Sequence, residues 1–221
     1  MTAGYFRRED ETVLRTGGIV LCGGQSKRMG RPKAWLPFVG ETMLGRVVRL
    51  LGQAVDPLVV VAAPDQDVPP LPAGVAVVRD GARGRGPLQG LAAGLAALGG
   101  RADAAYLSSC DVPFLRPGFV RRLIELLGDA AVCVPRVGDY HHPLAAVYRL
   151  EVAGAVTRLL TEDLLRPFFL FEAVPTRVVG PAELADVDPT FQTLRNLNTP
   201  EDYETAVREA AGLCGRSDAG P

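Results

Sequence analysis

Apolar, β-branched runs alternate with helical patterns through most of this chain. Ile19–Cys22, Leu58–Ala62, Val75–Val78, Ala104–Ser108, Ala131–Val134, Leu144–Tyr148 and Thr176–Val179 read as strands, each short and bounded by Gly, Pro or charged residues. Thr42–Gln53, Leu88–Leu98, Pro117–Leu127, Glu151–Leu160 and Pro200–Ala211 read as helices. The Pro117 segment shows why: Phe119, Leu123, Ile124 and Leu127 fall on one face, with Arg121, Arg122 and Glu125 turned outward. Strands and helices in alternation, joined by short connections, predict an α/β fold with a mostly parallel sheet covered on both faces. Arg136 to His142 reads as a hairpin turning through Gly138-Asp139, which adds an antiparallel strand. One domain, residues 17–211, is expected, with flexible tails at 1–16 and 212–221.

Composition narrows the function. A hydrophobic fraction of 48% supports a real core, and 221 residues suit one α/β domain. A net charge of −1 gives no general attraction to nucleic acid or to an anionic membrane, so any anion must be bound locally. Met1 to Thr16 is charged and lacks an apolar core segment, so it does not read as a signal peptide. No apolar run approaches the ~20 residues of a membrane span. The four cysteines, Cys22, Cys110, Cys133 and Cys214, form no CxxC pair, and three lie in apolar, strand-like segments. A reduced, cytoplasmic protein without disulfides or structural zinc is expected.

The first strand empties into Gly23-Gly24-Gln25-Ser26-Lys27-Arg28-Met29-Gly30-Arg31-Pro32-Lys33. Glycines let backbone N–H groups approach phosphate oxygens, and nearby cations neutralise them. Both lysines of the chain, Lys27 and Lys33, fall in this stretch, whereas every other long basic side chain is arginine. A lysine kept against that bias marks a place where a compact ammonium does what a flat guanidinium cannot. Two further loaded segments follow later strands: Arg79-Asp80-Gly81-Ala82-Arg83-Gly84-Arg85-Gly86-Pro87-Leu88, and Ser108-Ser109-Cys110-Asp111-Val112-Pro113. In open α/β sheets ligands sit beyond the carboxyl ends of the strands, and one or two aspartates there suffice for Mg²⁺ on a phosphate.

The generic phosphate motifs are absent. There is no G-x-G-x-x-G, and Gly30 is followed by Arg31 rather than by Lys and a hydroxyl residue. What stands there, G-G-x-S-x-R-M-G-x-x-K, resembles the N-terminal signature of the molybdenum cofactor guanylyltransferases and their nucleotidyltransferase relatives. Gly86-Pro87-Leu88-Gln89-Gly90-Leu91, Cys110-Asp111-Val112-Pro113, His142-Pro143-Leu144 and Asn196-Leu197-Asn198-Thr199-Pro200-Glu201-Asp202 resemble four more of that family's segments, in the same order.

The resemblance implies a Rossmann-like three-layer nucleotidyltransferase domain. Its implied reaction joins GMP from GTP to the terminal phosphate of molybdenum-bound molybdopterin, with Mg²⁺ as cofactor and pyrophosphate released. It implies nucleotide contacts from Leu21, Cys22, Gly23, Gly24, Lys33, Asp80, Gly86, Pro87, Leu88 and Asp111. Arg28, Lys33 and Asp111 are the implied catalytic residues, with Asp111 on the metal, and His142, Asn196 and Asn198 are acceptor contacts. GTP and molybdenum-molybdopterin are the expected partners, with transient contact to molybdoenzymes or other cofactor-biosynthesis proteins, and neither nucleic acid nor membrane. Gly23-Gly24 and Gly86-Pro87-Leu88 favour GTP over the CTP of related enzymes. Cytidylyl transfer to molybdopterin, or nucleotidyl transfer to a sugar phosphate, is the alternative, and a non-catalytic nucleotide binder is a third reading.

Structural readings stand beside these. Lys27 reads as a solvated loop charge, and Met29 and Trp35 as packing. Asp80 also suits a turn, Asp111 a helix cap and His142 a strand-start turn. Thr199-Pro200-Glu201-Asp202 is by itself a helix start, with a capping threonine, proline in the first turn and acids after it.

Overall fold

A computed structural model describes residues 14–23, 29, 31–81 and 84–217, with side chains as far as 212. The chain forms β1 (Thr16–Leu21), a small hairpin of β2 (Pro37–Phe38) and β3 (Glu41–Thr42), then α1 (Met43–Leu51), β4 (Leu58–Ala62) and β5 (Ala76–Arg79). There follow α2 (Gly86–Leu98), β6 (Ala104–Ser109), α3 (Pro117–Leu126), β7 (Val132–Val137), β8 (Tyr140–His141) and β9 (Ala145–Arg149). The last elements are α4 (Ala153–Thr161), α5 (Pro167–Ala173), β10 (Thr176–Val179) and α6 (Pro200–Ser217). The main sheet runs β10-β7-β9-β6-β1-β4-β5, with β8 off this order and paired to the end of β7. β9 is antiparallel to both β6 and β7, β8 is antiparallel to β7, and the other neighbours are parallel.

Alternate residues of each central strand face opposite helix layers. On one side Val20, Val60 and Tyr106 pack with Val47, Val48 and Leu51 of α1 and Phe119 and Leu123 of α3. On the other, Ile19, Val59, Val61 and Leu107 pack with Leu88, Leu91 and Leu95 of α2, Val156 and Leu159 of α4, and Leu170 of α5. The three-layer α/β architecture is therefore as the pattern predicts. Helix α2 lies unusually close to β1. A Cβ at Gly94 would stand 2.6 Å from Ile19 Cγ2, and one at Gly90 would stand 2.9 Å from Leu21 Cδ2. These missing side chains let the start of α2 reach the carboxyl edge beside Leu21.

Several elements escape the periodicity. The β2–β3 hairpin turns through Val39 (φ 48°) and Gly40 (φ 82°), and a β-branched residue in the left-handed region is no turn signal. α5 is seven mostly apolar residues, which periodicity alone cannot separate from a strand. Glu151–Leu160 divides into a 3-10 turn at Leu150–Val152 followed by α4. The predicted β7 stops at Val134, yet the strand passes Pro135 to Val137, because β8 takes over pairing at Arg136 and Val137. The Gly138-Asp139 turn joins the two as expected, with Gly138 at φ 58°. α6 continues to Ser217, past residue 211. No helix among the described residues is long and apolar enough to cross a membrane.

Candidate active site

The carboxyl ends of β1, β4, β5, β6 and β7 share one edge of the sheet, and there the chemically loaded segments meet. Cys22 follows β1 and is buried, with its N–H donating to the Val61 carbonyl at 2.9 Å. Gly23 beyond it is exposed. A Cβ at Gly23 would meet nothing nearer than Ala63 N at 3.5 Å, an ordinary contact, and its φ is not in the left-handed region. The protein's own packing thus does not require a glycine there, whereas close approach of a ligand would. Across the gap, Gln66 ties the strand ends together: Nε2 donates to the Cys22 carbonyl at 2.8 Å, and Oε1 accepts from Ala63 N at 3.3 Å. The Arg79 guanidinium braces the same loop through the Ala63 and Gln66 carbonyls.

The centre of the arrangement is Asp111, two residues past β6. Its Oδ2 accepts from Lys33 Nζ at 2.6 Å, and its Oδ1 accepts from Ser109 Oγ at 2.6 Å and Asn196 Nδ2 at 2.7 Å. The pair is largely sequestered, with 17% of the Lys33 side chain and 11% of the Asp111 side chain exposed. The same ammonium donates to Asn198 Oδ1 at 3.0 Å. Asn196 Nδ2 also donates to Ser109 Oγ at 3.1 Å, and Leu197 N donates to the Asp111 carbonyl at 3.0 Å. The loop before α6 is thereby pinned onto the end of β6. The helix start predicted there is present as a reciprocal cap: Asp202 N donates to Thr199 Oγ1 at 3.1 Å, while Asp202 Oδ2 accepts from Thr199 N at 3.0 Å and Asn198 N at 3.1 Å. Those backbone donors hold the Asp202 carboxyl below the usual carboxylate range. Asn198 thus serves the cap through its backbone while its side chain accepts from Lys33.

The remaining predicted residues fall around this centre. Leu21 ends β1, and Asp80, partly buried, follows β5 with its N–H on the Ala62 carbonyl at 2.9 Å. Gly86 (φ 72°), Pro87 and Leu88 form the first turn of α2, with Leu88 fully buried. His142 precedes β9, with its N–H on the Pro135 carbonyl at 2.9 Å and its own carbonyl accepting from Ala145 N at 3.0 Å, so the turn reading of this residue is met. Burial, with His141 beside it, lowers its pKa below the ordinary imidazole value, leaving it neutral at pH 7. Burial also pushes the Cys22 thiol up to about 11 and raises the Cys110 thiol, so neither is a nucleophile. Gly24, Lys27, Arg28 and Arg83 lie outside the described residues. Met29 packs against the cluster of Leu36, Phe38 and Met43 as expected. Trp35 does not fit the packing reading well: it is 44% exposed, and its indole N–H donates to the Asp67 carbonyl at 3.1 Å, a strut to the loop after β4. Ser109 and Gln66 were given no role from sequence, since a lone serine or glutamine carries no pattern.

A strand-end carboxylate paired with an ammonium, beside an open glycine and a helix N-terminus, suits binding and transfer of phosphate groups. The family model for the MobA-like NTP transferase domain matches residues 18–174. This chain belongs to that family. As a MobA-like nucleotidyltransferase it has a relative in Mycobacterium avium (strain 104), named "Probable molybdenum cofactor guanylyltransferase", that is 35% identical over 203 residues, 90% of this chain and 98% of that protein. The crystal structure of molybdopterin-guanine dinucleotide biosynthesis protein A from Archaeoglobus fulgidus shares the fold, with a TM-score of 0.74 at 20% identity over 89% of this chain and 99% of that one. A Mycobacterium tuberculosis H37Rv protein crystallised in complex with manganese shares it too, with a TM-score of 0.60 at 22% identity, covering 88% and 98%.

Proposed function

We propose that this MobA-like nucleotidyltransferase transfers GMP from GTP to the terminal phosphate of molybdenum-bound molybdopterin, in the cytoplasm, and releases pyrophosphate. One observation carries the assignment of roles: the Lys33 ammonium stands between Asp111 Oδ2 at 2.6 Å and Asn198 Oδ1 at 3.0 Å. Two hard oxygens already converge on a cation, which is the donor chemistry that Mg²⁺ takes. Among the described residues no group of three or more His, Cys, Asp or Glu side chains could hold a metal ion. Mg²⁺ is commonly completed by phosphate and water oxygens rather than by a protein cage. Asp111, assisted by Asn198, is the proposed ligand. When bound, the ion neutralises the phosphates and polarises the α-phosphorus toward attack.

In the transfer, an oxygen of the acceptor phosphate forms a bond to the α-phosphorus of GTP, and the bond from that phosphorus to the bridging oxygen of pyrophosphate breaks. The acceptor is already an anion at neutral pH, so no general base is needed. Lys33, with Arg28, neutralises the triphosphate and the charge gathering on pyrophosphate. The first turn of α2 presents backbone N–H groups to the same anion from Leu88 onward, since Pro87 has none. Gly23, with Leu21, Cys22 and Gly24, offers open backbone to the nucleotide, and Asp80 orients base and ribose. Positioning and charge stabilisation then carry the chemistry. His142, Asn196 and Asn198 face the acceptor side, and Asn196 also holds Asp111 in place. The net charge of −1 gives no reason to expect nucleic acid or a membrane as partner, while transient contact with molybdoenzymes or other cofactor-biosynthesis proteins suits the product.

The test is a pair of measurements. GTP with Mg²⁺ should raise the melting temperature well above the value reached with CTP and Mg²⁺ at equal concentration. Mass spectrometry should then find molybdopterin guanine dinucleotide and pyrophosphate only when molybdopterin is supplied. Equal stabilisation by CTP, or transfer to a sugar phosphate in place of molybdopterin, would overturn the assignment.

A further inference from the structure

The carboxyl edge has two halves. From β1 toward β4 and β5 lie Gly23 and Asp80, the residues assigned to the nucleotide. From β6 toward β9 and β7 lies a surface of different chemistry. β7 is parallel to β6, since each is antiparallel to β9, so the β7–β8 hairpin projects from the same edge as Asp111. α4 begins after β9 at the opposite edge and returns to this one, where the Arg85 guanidinium donates to the Leu160 carbonyl and to Asp163 Oδ1 at 3.3 Å. α5 then starts here, and its first turn carries Phe168.

Phe168 is 51% exposed. The His141 ring stands over it at 6.4 Å between centroids and over Phe171 at 5.8 Å, tilted 56° and 49°. The chain is close to continuous from the phosphate side, because Gly86 at the start of α2 sits against the Leu165 carbonyl. Two strand spacings, roughly 10 Å in all, separate the β6 end from the β7 end. A phenylalanine half open to water beside an imidazole leaves apolar ring surface that a flat partner would cover.

We propose that Phe168 and His141 form a stacking platform for the fused pterin ring of the acceptor, while its phosphate reaches the Lys33–Asp111 cluster. This rests on the guanylyl-transfer reading and adds to it the residues that select the acceptor. A flat ring at one end and an anion at the other match an aromatic face and a cationic centre along one edge. The exposed surface is one phenylalanine face flanked by a tilted imidazole, which suits a small molecule better than the ~1,000 Å² a specific protein interface needs.

The experiment uses the full chain and the variants Phe168→Ala, Phe168→Trp and His141→Ala, with steady-state transfer of GMP to molybdopterin as the readout. Phe168→Ala should raise the acceptor KM by roughly 5- to 150-fold, the effect of losing one base–aromatic stack. The KM for GTP should stay at the wild-type value, Phe168→Trp should restore the acceptor KM, and His141→Ala should raise it less than Phe168→Ala. A second readout is independent of turnover: a fluorescent pterin monophosphate should be quenched saturably by wild type and by Phe168→Trp, and not by Phe168→Ala. Because Phe168 is half exposed, an unchanged melting temperature is expected for each variant. If wild type transfers GMP to molybdopterin but Phe168→Ala keeps its acceptor KM and its quenching, the platform is wrong and the activity stands. If wild type shows no transfer to molybdopterin, the activity reading fails and the platform with it.

Discussion

Asp111→Asn keeps shape and removes charge, and the structure says what that should do to stability as well as to rate. Every neighbour of the carboxylate is a donor: Lys33 Nζ on Oδ2, and Ser109 Oγ with Asn196 Nδ2 on Oδ1. An asparagine must put its NH₂ on one of those two sides. Turned toward Lys33 it meets an ammonium; turned the other way it meets the Ser109 hydroxyl, which can rotate to accept, and the Asn196 amide, which must flip to present its oxygen. Unless the Asn196 amide flips in turn, two donors face each other at a site 8% exposed. A buried polar group left unpaired costs about 1–3 kcal/mol. For a chain of this size that lowers Tm by roughly 2–12 °C. Turnover should fall at least ~100-fold, because the charge proposed to hold the divalent ion is gone. Pyrophosphate release is measured at 25 °C, with circular dichroism confirming the fold, and Tm by differential scanning fluorimetry. Turnover within a few-fold of wild type would refute the metal role even if Tm drops. An unchanged Tm would show that Lys33 and the Asn196 amide reorient around the new side chain without cost.

Lys33→Arg should cut kcat/KM for GTP at least ~10-fold, since a planar fork cannot replace one ammonium held 2.6 and 3.0 Å from two oxygens; wild-type kinetics would mean the compact charge is unimportant. Gly94→Ala should lower Tm by about 2–12 °C, because its Cβ would overlap Ile19 at 2.6 Å and overpacking costs about 1–3 kcal/mol; no shift would show that α2 can move outward freely. Cys22 should resist alkylation at pH 8 in the folded protein, since its pKa of about 11 lies above that of an exposed thiol and leaves almost no thiolate, and should label quickly in urea; equal rates by peptide mass mapping would contradict its burial.

Much of the fold is legible because buried strands and amphipathic helices leave period-2 and period-3.6 traces. Ile19, Val59 and Leu107 face α2 simply because alternate residues of a strand must. What is not legible depends on partners distant in sequence. Val39 turns a hairpin with φ 48° because Phe38 and Met43 are buried against Leu197 and Ala206 of the C-terminal segment, which outweighs local turn preference. α5 is helical through its contact with α4 and the buried Leu170, not through its own periodicity. The same contrast holds at the site. Lys33 and Asp111 stand out in sequence by type and setting. Ser109 and Gln66 do not, because a hydrogen-bond orienter is defined by geometry, and geometry arises only once β1, β4 and β6 lie side by side.

The closure of the site from outside the family match follows from charge. Residues 18–174 carry the match, yet the pair at the centre is completed by Asn196 and Asn198, beyond it. A carboxylate and an ammonium this enclosed are costly unless the remaining donors and acceptors are satisfied. Ser109 and Asn196 do this for Asp111, and Asn198 does it for Lys33. The Lys33 and Asp111 charges therefore offset each other. On the proposed reading, Lys33 would turn to phosphate and Asp111 would hold the divalent ion once an anionic triphosphate is bound, so neither charge would be stranded. Ser109 and Asn196 hold Oδ1, and Oδ2 carries the single contact to Lys33. The carboxylate is thus aimed before substrate binds, and little reorganisation is left for the reaction itself. The loop that carries Asn196 and Asn198 is held by its own cap at Thr199 and Asp202, and Leu197 N on the Asp111 carbonyl fixes it to β6. A helix start that reads in sequence as plain capping chemistry also carries, in the folded protein, the two asparagines that hold Lys33 and Asp111.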